Sequence, residues 1–295
     1  MFRSLRLKRQ PEVLVSLPGM LSGEQLARDA ESPVNILHLN NLPDKTKLRL
    51  YRGLLPASVL AQFKIDLITW KAARDAYRVE LKAEAGTGVV KVSIVNPVDE
   101  TDVYVAVELQ DNAFGSIDLN LVVLNDPASE RFGIDYDADG APTLFGALRR
   151  NLAEEQSAMQ AGLAPGQVRA GLGASRAVFE QLEGFLAVLG HRAYFLEPLS
   201  YASAWVFERR GFAYMRGHKL MDDIHAGFQP GGALHQALDG STPFRQPEQA
   251  LTVRGRAWAI HDGILDAIGQ RWDKLSKVKQ IGRHDGVETF VEAVY

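Results

Sequence analysis

The stretch Val168-Arg169-Ala170-Gly171-Leu172-Gly173-Ala174-Ser175-Arg176 decides how the chain is read, because it opens a helix. From Ala174 to Leu189, the residues Val178, Phe179, Leu182, Phe185, Leu186 and Leu189 recur at helical spacing and form one apolar stripe. Glycines ahead of such a helix let the backbone approach a ligand closely. The first N–H groups of a helix have no partner within it, and with the helix dipole they suit a phosphate. Arg169 and Arg176 add positive charge nearby. The plain alternative is a tight turn that needs two glycines for steric reasons alone.

A dinucleotide fold would want G-x-G-x-x-G after a buried strand. Here Arg176 stands at the third glycine position, and Ala164 to Gln167 (APGQ) is no hydrophobic strand. That reading fails on both counts.

Working outward, the helix is followed by a predicted strand (192–196), a short helix (200–210) and a strand pair within 212–221. Upstream lie three β-branched runs, Val89–Val95 (VVKVSIV), Val103–Leu109 (VYVAVEL) and Ile117–Leu124 (IDLNLVVL), spaced as an antiparallel meander. Arg131–Tyr136 is expected to add a strand, and 144–163 a long amphipathic helix. In the first zone a helix is expected over 56–63, and the Ala-, Glu-, Lys- and Arg-rich run 71–85 reads as an exposed helix ending at Gly86. The last zone carries loops and an expected helix over 256–279, weakened by Gly263 and Gly269. The chain divides into an N-terminal extension (1–86), a mixed α and β core (87–221) and a mainly helical C-terminal addition (222–295).

Helix, strand and then Ser203-Ala204-Trp205-Val206-Phe207-Glu208-Arg209-Arg210-Gly211-Phe212 resembles the C-terminal half of the GNAT acyltransferase superfamily. In that family a Q/R-x-x-G-x-G/A segment starts a helix, and a later helix ends in a tyrosine–glutamate–basic–x–glycine–phenylalanine pattern. Gly171 and Gly173 take the two glycine positions; Phe207, Glu208, Arg209, Gly211 and Phe212 match the second pattern. The resemblance covers roughly residues 167–221. It implies an α+β fold: a mixed, mostly antiparallel sheet flanked by helices, with extensions at both ends. It also implies acetyl-CoA or another acyl-CoA as co-substrate, with Arg169, Gly171, Leu172, Gly173, Ala174 and Ser175 around its pyrophosphate. The strand at Tyr194–Leu196 would splay from its neighbour to admit the pantetheine arm. The reaction would transfer the acyl group to a small amine, with a base taking the amine proton and an acid protonating the thiolate. Glu197, at a strand end, is the leading base, beside Glu108 and Asp118. Phe207 replaces the family's tyrosine acid, so Tyr201 or Tyr214 would have to supply that hydroxyl. Val168 stands at the Gln or Arg position, and a helix and turn precede the glycines where a strand is expected. A coenzyme-A-binding or structural module without chemistry is the first alternative.

The second alternative is a metal-dependent enzyme, since His218, His225, His235, His261 and His284 cluster towards the end, near Asp222, Asp223 and Asp262. None has the spacing of a known metal motif. Asp135-Tyr136-Asp137-Ala138-Asp139-Gly140 matches the start of a calcium loop, but position twelve is Gly146, so a polar hairpin turn explains it better.

Composition bounds these readings. The 295 residues are 46% hydrophobic, enough for a sizeable core, and contain no cysteine, which excludes disulfides, thiol catalysis and cysteine-ligated metal. Net charge is -3, from 33 basic and 36 acidic residues, and gives no electrostatic case for nucleic acid. No apolar run approaches membrane-spanning length. Arg3, Arg6, Lys8 and Arg9 lead to Pro11 and Glu12 rather than to an apolar run, so a solvated basic arm and a cytoplasmic location are expected.

Overall fold

The structure, a computed structural model, describes residues 33–295 except Phe145, Ala147 and Lys274. The basic arm lies outside the described residues.

The β-branched runs become strands because their side chains alternate between a buried and a more polar face. They are β1 (Arg78–Lys82), β2 (Val89–Val95), β3 (Val103–Asp111) and β4 (Ile117–Leu124), paired antiparallel in sequence order. Val90, Val92, Ile94, Val105, Val107, Leu109, Ile117 and Leu119 face the main core. The expected helix over 71–85 is corrected: a single 3-10 turn (Ala73–Asp75) precedes β1. In β1, Val79 and Leu81 pack against that core while Arg78, Glu80 and Lys82 alternate with them, so tertiary pairing overrides helix propensity.

Helices α1 (Ile36–Asn40), α2 (Asp44–Tyr51) and α3 (Ala57–Gln62) cover the same core. The remaining strands are β5 (Ala193–Leu196), β6 (Ala213–Arg216) and β7 (Ser276–Gln280). Among the described residues the sheet runs β1-β2-β3-β4-β5-β7-β6, mixed but mostly antiparallel. The join between its two parts is β4 against β5. It is the one parallel pairing in the sheet, and it consists of Ile117 with Tyr194 and Asp118 with Phe195.

The other helices are α4 (Leu152–Gln160), α5 (Ser175–Val188), α6 (Tyr201–Arg209), α7 (His218–Gly227), α8 (Ala233–Gln236) and α9 (Val253–His261). Helix α5 places Val178, Phe179, Leu182, Phe185 and Leu186 on the main core, as its stripe requires. Four further expectations are corrected. The helix over 144–163 starts only at Leu152, because Leu144 and Gly146 take positive φ values of 50° and 89°. Arg131–Tyr136 forms no strand. The strand pair over 212–221 is β6 followed by α7. The helix over 256–279 ends at His261, since Gly263 and Gly269 adopt left-handed geometry, and its last part is β7. Residues 222–295 supply a strand to the sheet, seated between β5 and β6, beside their helices.

A second core joins α6, α7 and α9 through Tyr201, Ala204, Met221, Ile224, Ala257 and Ile260. A third, smaller one joins Phe132, Ile134, Ala158 and Leu163 to Phe244 and Trp258 of the C-terminal zone. No helix among the described residues is long and apolar enough to cross a membrane.

Candidate functional site

The segment between β4 and α5 leaves the sheet and returns to it. Its two ends pair with each other: Leu172 N–H donates to Leu124 O (2.9 Å) and Asp126 N–H to Ala170 O (2.8 Å). Residues 126–169 are thus an excursion closed at its neck, and β4 passes across that neck into the glycine segment. The helix and turn that precede the glycines in sequence belong to this excursion.

Arg169 locks the neck. Its guanidinium donates to both carboxylate oxygens of buried Asp102, at 3.2 and 2.9 Å, and to Ser129 O. Burial pushes the Asp102 carboxyl up, but the bonds from Arg169 and Tyr104 outweigh it and hold the group below its ordinary value. Arg131 also faces Asp102, at 3.6 Å. Arg169, expected beside a phosphate, thus uses three of its five N–H donors within the chain.

The glycine segment itself stays open. Gly171 and Gly173 are exposed, and Gly173 takes φ +72° with nothing within 4 Å of where a Cβ would stand. Ala174 is the N-cap of α5 and gives no side-chain cap. Among the described residues no acceptor meets the N–H groups of Gly173, Ala174, Ser175 or Arg176. Arg210, at the end of α6, donates to Ser175 Oγ at 2.6 Å, while its Nε is buried without an acceptor. Burial, then the neighbouring Arg176 charge, lowers the Arg210 guanidinium from its ordinary value. Unmet N–H donors and two guanidinium groups thus gather at one helix start. That is the chemistry of an anion site.

Beside it the sheet opens. Beyond Asp118, β4 continues to Leu124 with no strand partner on the β5 side. A bulge lies at the same level: the β3–β4 register shifts between Glu108 and Leu109, leaving Asn120 unmatched. A bulge bends and twists its strand, and β5 itself ends at Leu196, so the rest of β4 has no β5 strand beside it. Asn120 Nδ2 donates to Gln110 Oε1 at 2.8 Å and to Glu108 Oε1 at 3.4 Å, so Glu108 lies by this bend. Asp118 accepts from Asn112 Nδ2 at 2.9 Å.

The other candidates are dispersed. Glu197 is exposed just past the end of β5, at the opening. Tyr201 is 1% exposed in the second core, edge-on to Trp272, and burial raises its hydroxyl pKa. Tyr214 OH donates to buried Glu208 at 2.5 Å. Phe207 packs on Phe179 and Phe212, with ring centroids 5.9 and 5.2 Å away, so its position is filled by core aromatic contact.

Glu208 and Tyr214 belong to a buried cluster whose other members, Lys277 and Thr289, no motif pointed to. The Glu208 carboxylate also accepts from Thr289 N and Thr289 Oγ1, both at 2.9 Å. Lys277 Nζ lies 4.0 Å from it and 3.4 Å from the Tyr214 ring centroid, wholly buried and without a hydrogen-bond acceptor. Alternation along β7 is the one signal that could have found Lys277, had that strand been expected.

The histidines stay apart. His218 faces Asp222 at 3.8 Å, His225 meets Gln229 and Arg256, and His261 faces Glu155 at 3.5 Å. Among the described residues no group of three or more histidine or carboxylate side chains converges to hold a metal ion. In the calcium-like run, Asp137 Oδ1 accepts from Asp139 N and Ala141 N, and Asp135 pairs with Arg131. This is the hairpin-turn arrangement.

Comparison with family models, curated proteins and solved structures finds no match to this chain.

Proposed function

We propose that the chain is an acyl-CoA-dependent N-acyltransferase acting on a small amine, built on the pattern of the GNAT enzymes that its glycine segment resembles. One observation carries the reading: β4 and β5 run parallel, pair for two residues and then part, and the start of α5 with its unmet N–H groups closes the same end. An elongated ligand with an anionic group fits such a place, with its phosphates on the amides of Gly173–Arg176 and its arm between the strands.

In this reading Gly173, Ala174, Ser175 and Arg176 bind the pyrophosphate, and Arg210 holds Ser175 in place. The acyl carbonyl carbon lies in the opening between β4 and Glu197. The amine nitrogen attacks that carbon, the C–N bond forms and the C–S bond breaks. Glu197, or water it orients, takes the amine proton. The sulfur leaves as a thiolate; with a thiol pKa of about 8.5 it needs little acid assistance and takes its proton from water. A phenyl ring at 207 is therefore compatible with turnover. The same ring favours the second reading, in which coenzyme A binds and no transfer follows.

Calorimetric titration with acetyl-CoA tests the assignment. Micromolar binding is expected, and Gly173→Asp is expected to abolish it by placing a negative charge at the phosphates. Aspartate at φ +72° costs about 1–2 kcal/mol of backbone strain, so the fold survives. Undiminished binding to the folded variant would refute the phosphate assignment. Thiol release in the presence of amines separates transfer from binding alone.

A further inference from the structure

A shallow groove of about 570 Å³ runs between α4 and the loop Gly240–Gln249, faced by Gln156, Gln160, Thr242, Gln246 and the carboxylate-bearing Glu248. Met159, Gln160 and Gln249 also line an adjoining cavity of about 320 Å³, walled by the first turn of α9 and by Tyr295. Among the described residues Arg254 is the one charged side chain on that cavity wall.

Like Arg256 on the same helix, Arg254 has no carboxylate partner among the described residues, in contrast to four ion-paired arginines elsewhere in the chain. Arg131, Arg150, Arg169 and Arg245 each meet a carboxylate at 2.9 Å or closer. No ion pair of Arg254 occurs among the described residues; its guanidinium lies 4.3 Å from the Tyr295 ring centroid, and its Nε is closed to water without an acceptor. A cation left so is under-compensated, and a buried donor without a partner is unfavourable. Gly162, at φ +79°, lies beside the guanidinium, where a Cβ would stand 3.6 Å from Nη1. The side-chain amides of Gln156 and Gln160 make no hydrogen bond among the described residues and are available along the groove.

We propose that this cavity and groove bind the free carboxyl end of a short peptide, with the carboxylate on Arg254 and the peptide amides on the glutamine side chains. A single guanidinium in the cavity suits a monoanion, and the neutral amides along the groove suit an amide-bearing chain, while the Glu248 carboxylate on the groove disfavours a second negative charge such as a phosphate would bring. The site is independent of the glycine segment and of the acyl-transfer reading.

The test is titration calorimetry of the full chain with N-acetyl-glutaminyl-alanine as the free acid and as its C-terminal carboxamide. The acid binds at least tenfold more tightly than the amide, and Arg254→Gln removes that preference. Gln160→Glu, a change on the exposed end of α4, weakens the acid at least tenfold and leaves the melting temperature unchanged. It decides the matter if Arg254→Gln disturbs the Tyr295 contact and the fold. Equal binding of acid and amide, binding of neither, or an undiminished preference in a folded variant overturns the proposal.

Discussion

Strands β1–β4 and strands β5–β7 share one sheet but reach stability by different means. The first set is five to nine residues long, continuously antiparallel, and buries valine, isoleucine and leucine on one face. The second set is four or five residues long and buries Lys277 and Lys279. Hydrophobic alternation is enough to hold the first half. The second depends on side chains from outside the sheet: Glu208 of α6, Tyr214 of β6 and Thr289 of the C-terminal segment gather round Lys277. Two strands with such different supports meet over only two residue pairs. The difference teaches where a ligand can enter without dismantling a core: at the seam between the halves.

Glu208→Ala should break the comparison most strongly. It leaves Lys277 beside no carboxylate and Thr289 without its acceptor, so a loss of about 3–5 kcal/mol is expected in urea denaturation. A loss under about 1 kcal/mol would mean that the second half does not lean on this group. Asp102→Ala comes next, at about 3 kcal/mol, because Arg169 and Arg131 lose a shared buried partner. Its effect belongs to the neck of the excursion, and a wild-type urea midpoint would show that the neck is held by backbone pairing alone.

Lys277 gives the smallest and most specific effect. Burial pushes its amine down to about 7, and Glu208 only partly opposes this. The unfolded chain has the ordinary value near 10.5, so between these values it binds more protons than the native state. The contribution is full above the unfolded value, declines as pH falls towards 7 and is flat below. Stability should therefore rise from about pH 7 to about pH 9.5, short of tyrosine ionisation. Lys277→Met should flatten that rise and cost little at pH 9, since an apolar side chain of similar volume replaces a neutral amine. An equal slope in the variant would assign the pH dependence elsewhere.

How much was legible follows the same division. Alternation in VVKVSIV, VYVAVEL and IDLNLVVL announces β2, β3 and β4, and the Val178–Leu189 stripe announces α5, because each pattern expresses its own burial. Ser276-Lys277-Val278-Lys279-Gln280 alternates, but its inward residues are lysines, and Glu208 and Tyr214, the groups that account for Lys277, come from other elements far away in sequence. β1 was hidden by good helix formers. The glycine segment was visible, whereas the roles of Arg169 and Tyr201 were not, since Asp102 and the second core come from elsewhere in the chain. The parting of β4 from β5 was expected from resemblance alone; neither the bulge at Asn120 nor the short span of β5 has a sequence signature.

Hydrogen exchange with and without acetyl-CoA tests the central claim most directly. The account predicts slowed exchange confined to the amides of Gly173–Ala177 and to β4 beyond Asp118, with the Lys277 region of β7 unchanged. Protection elsewhere, or none at saturating acetyl-CoA, would contradict it.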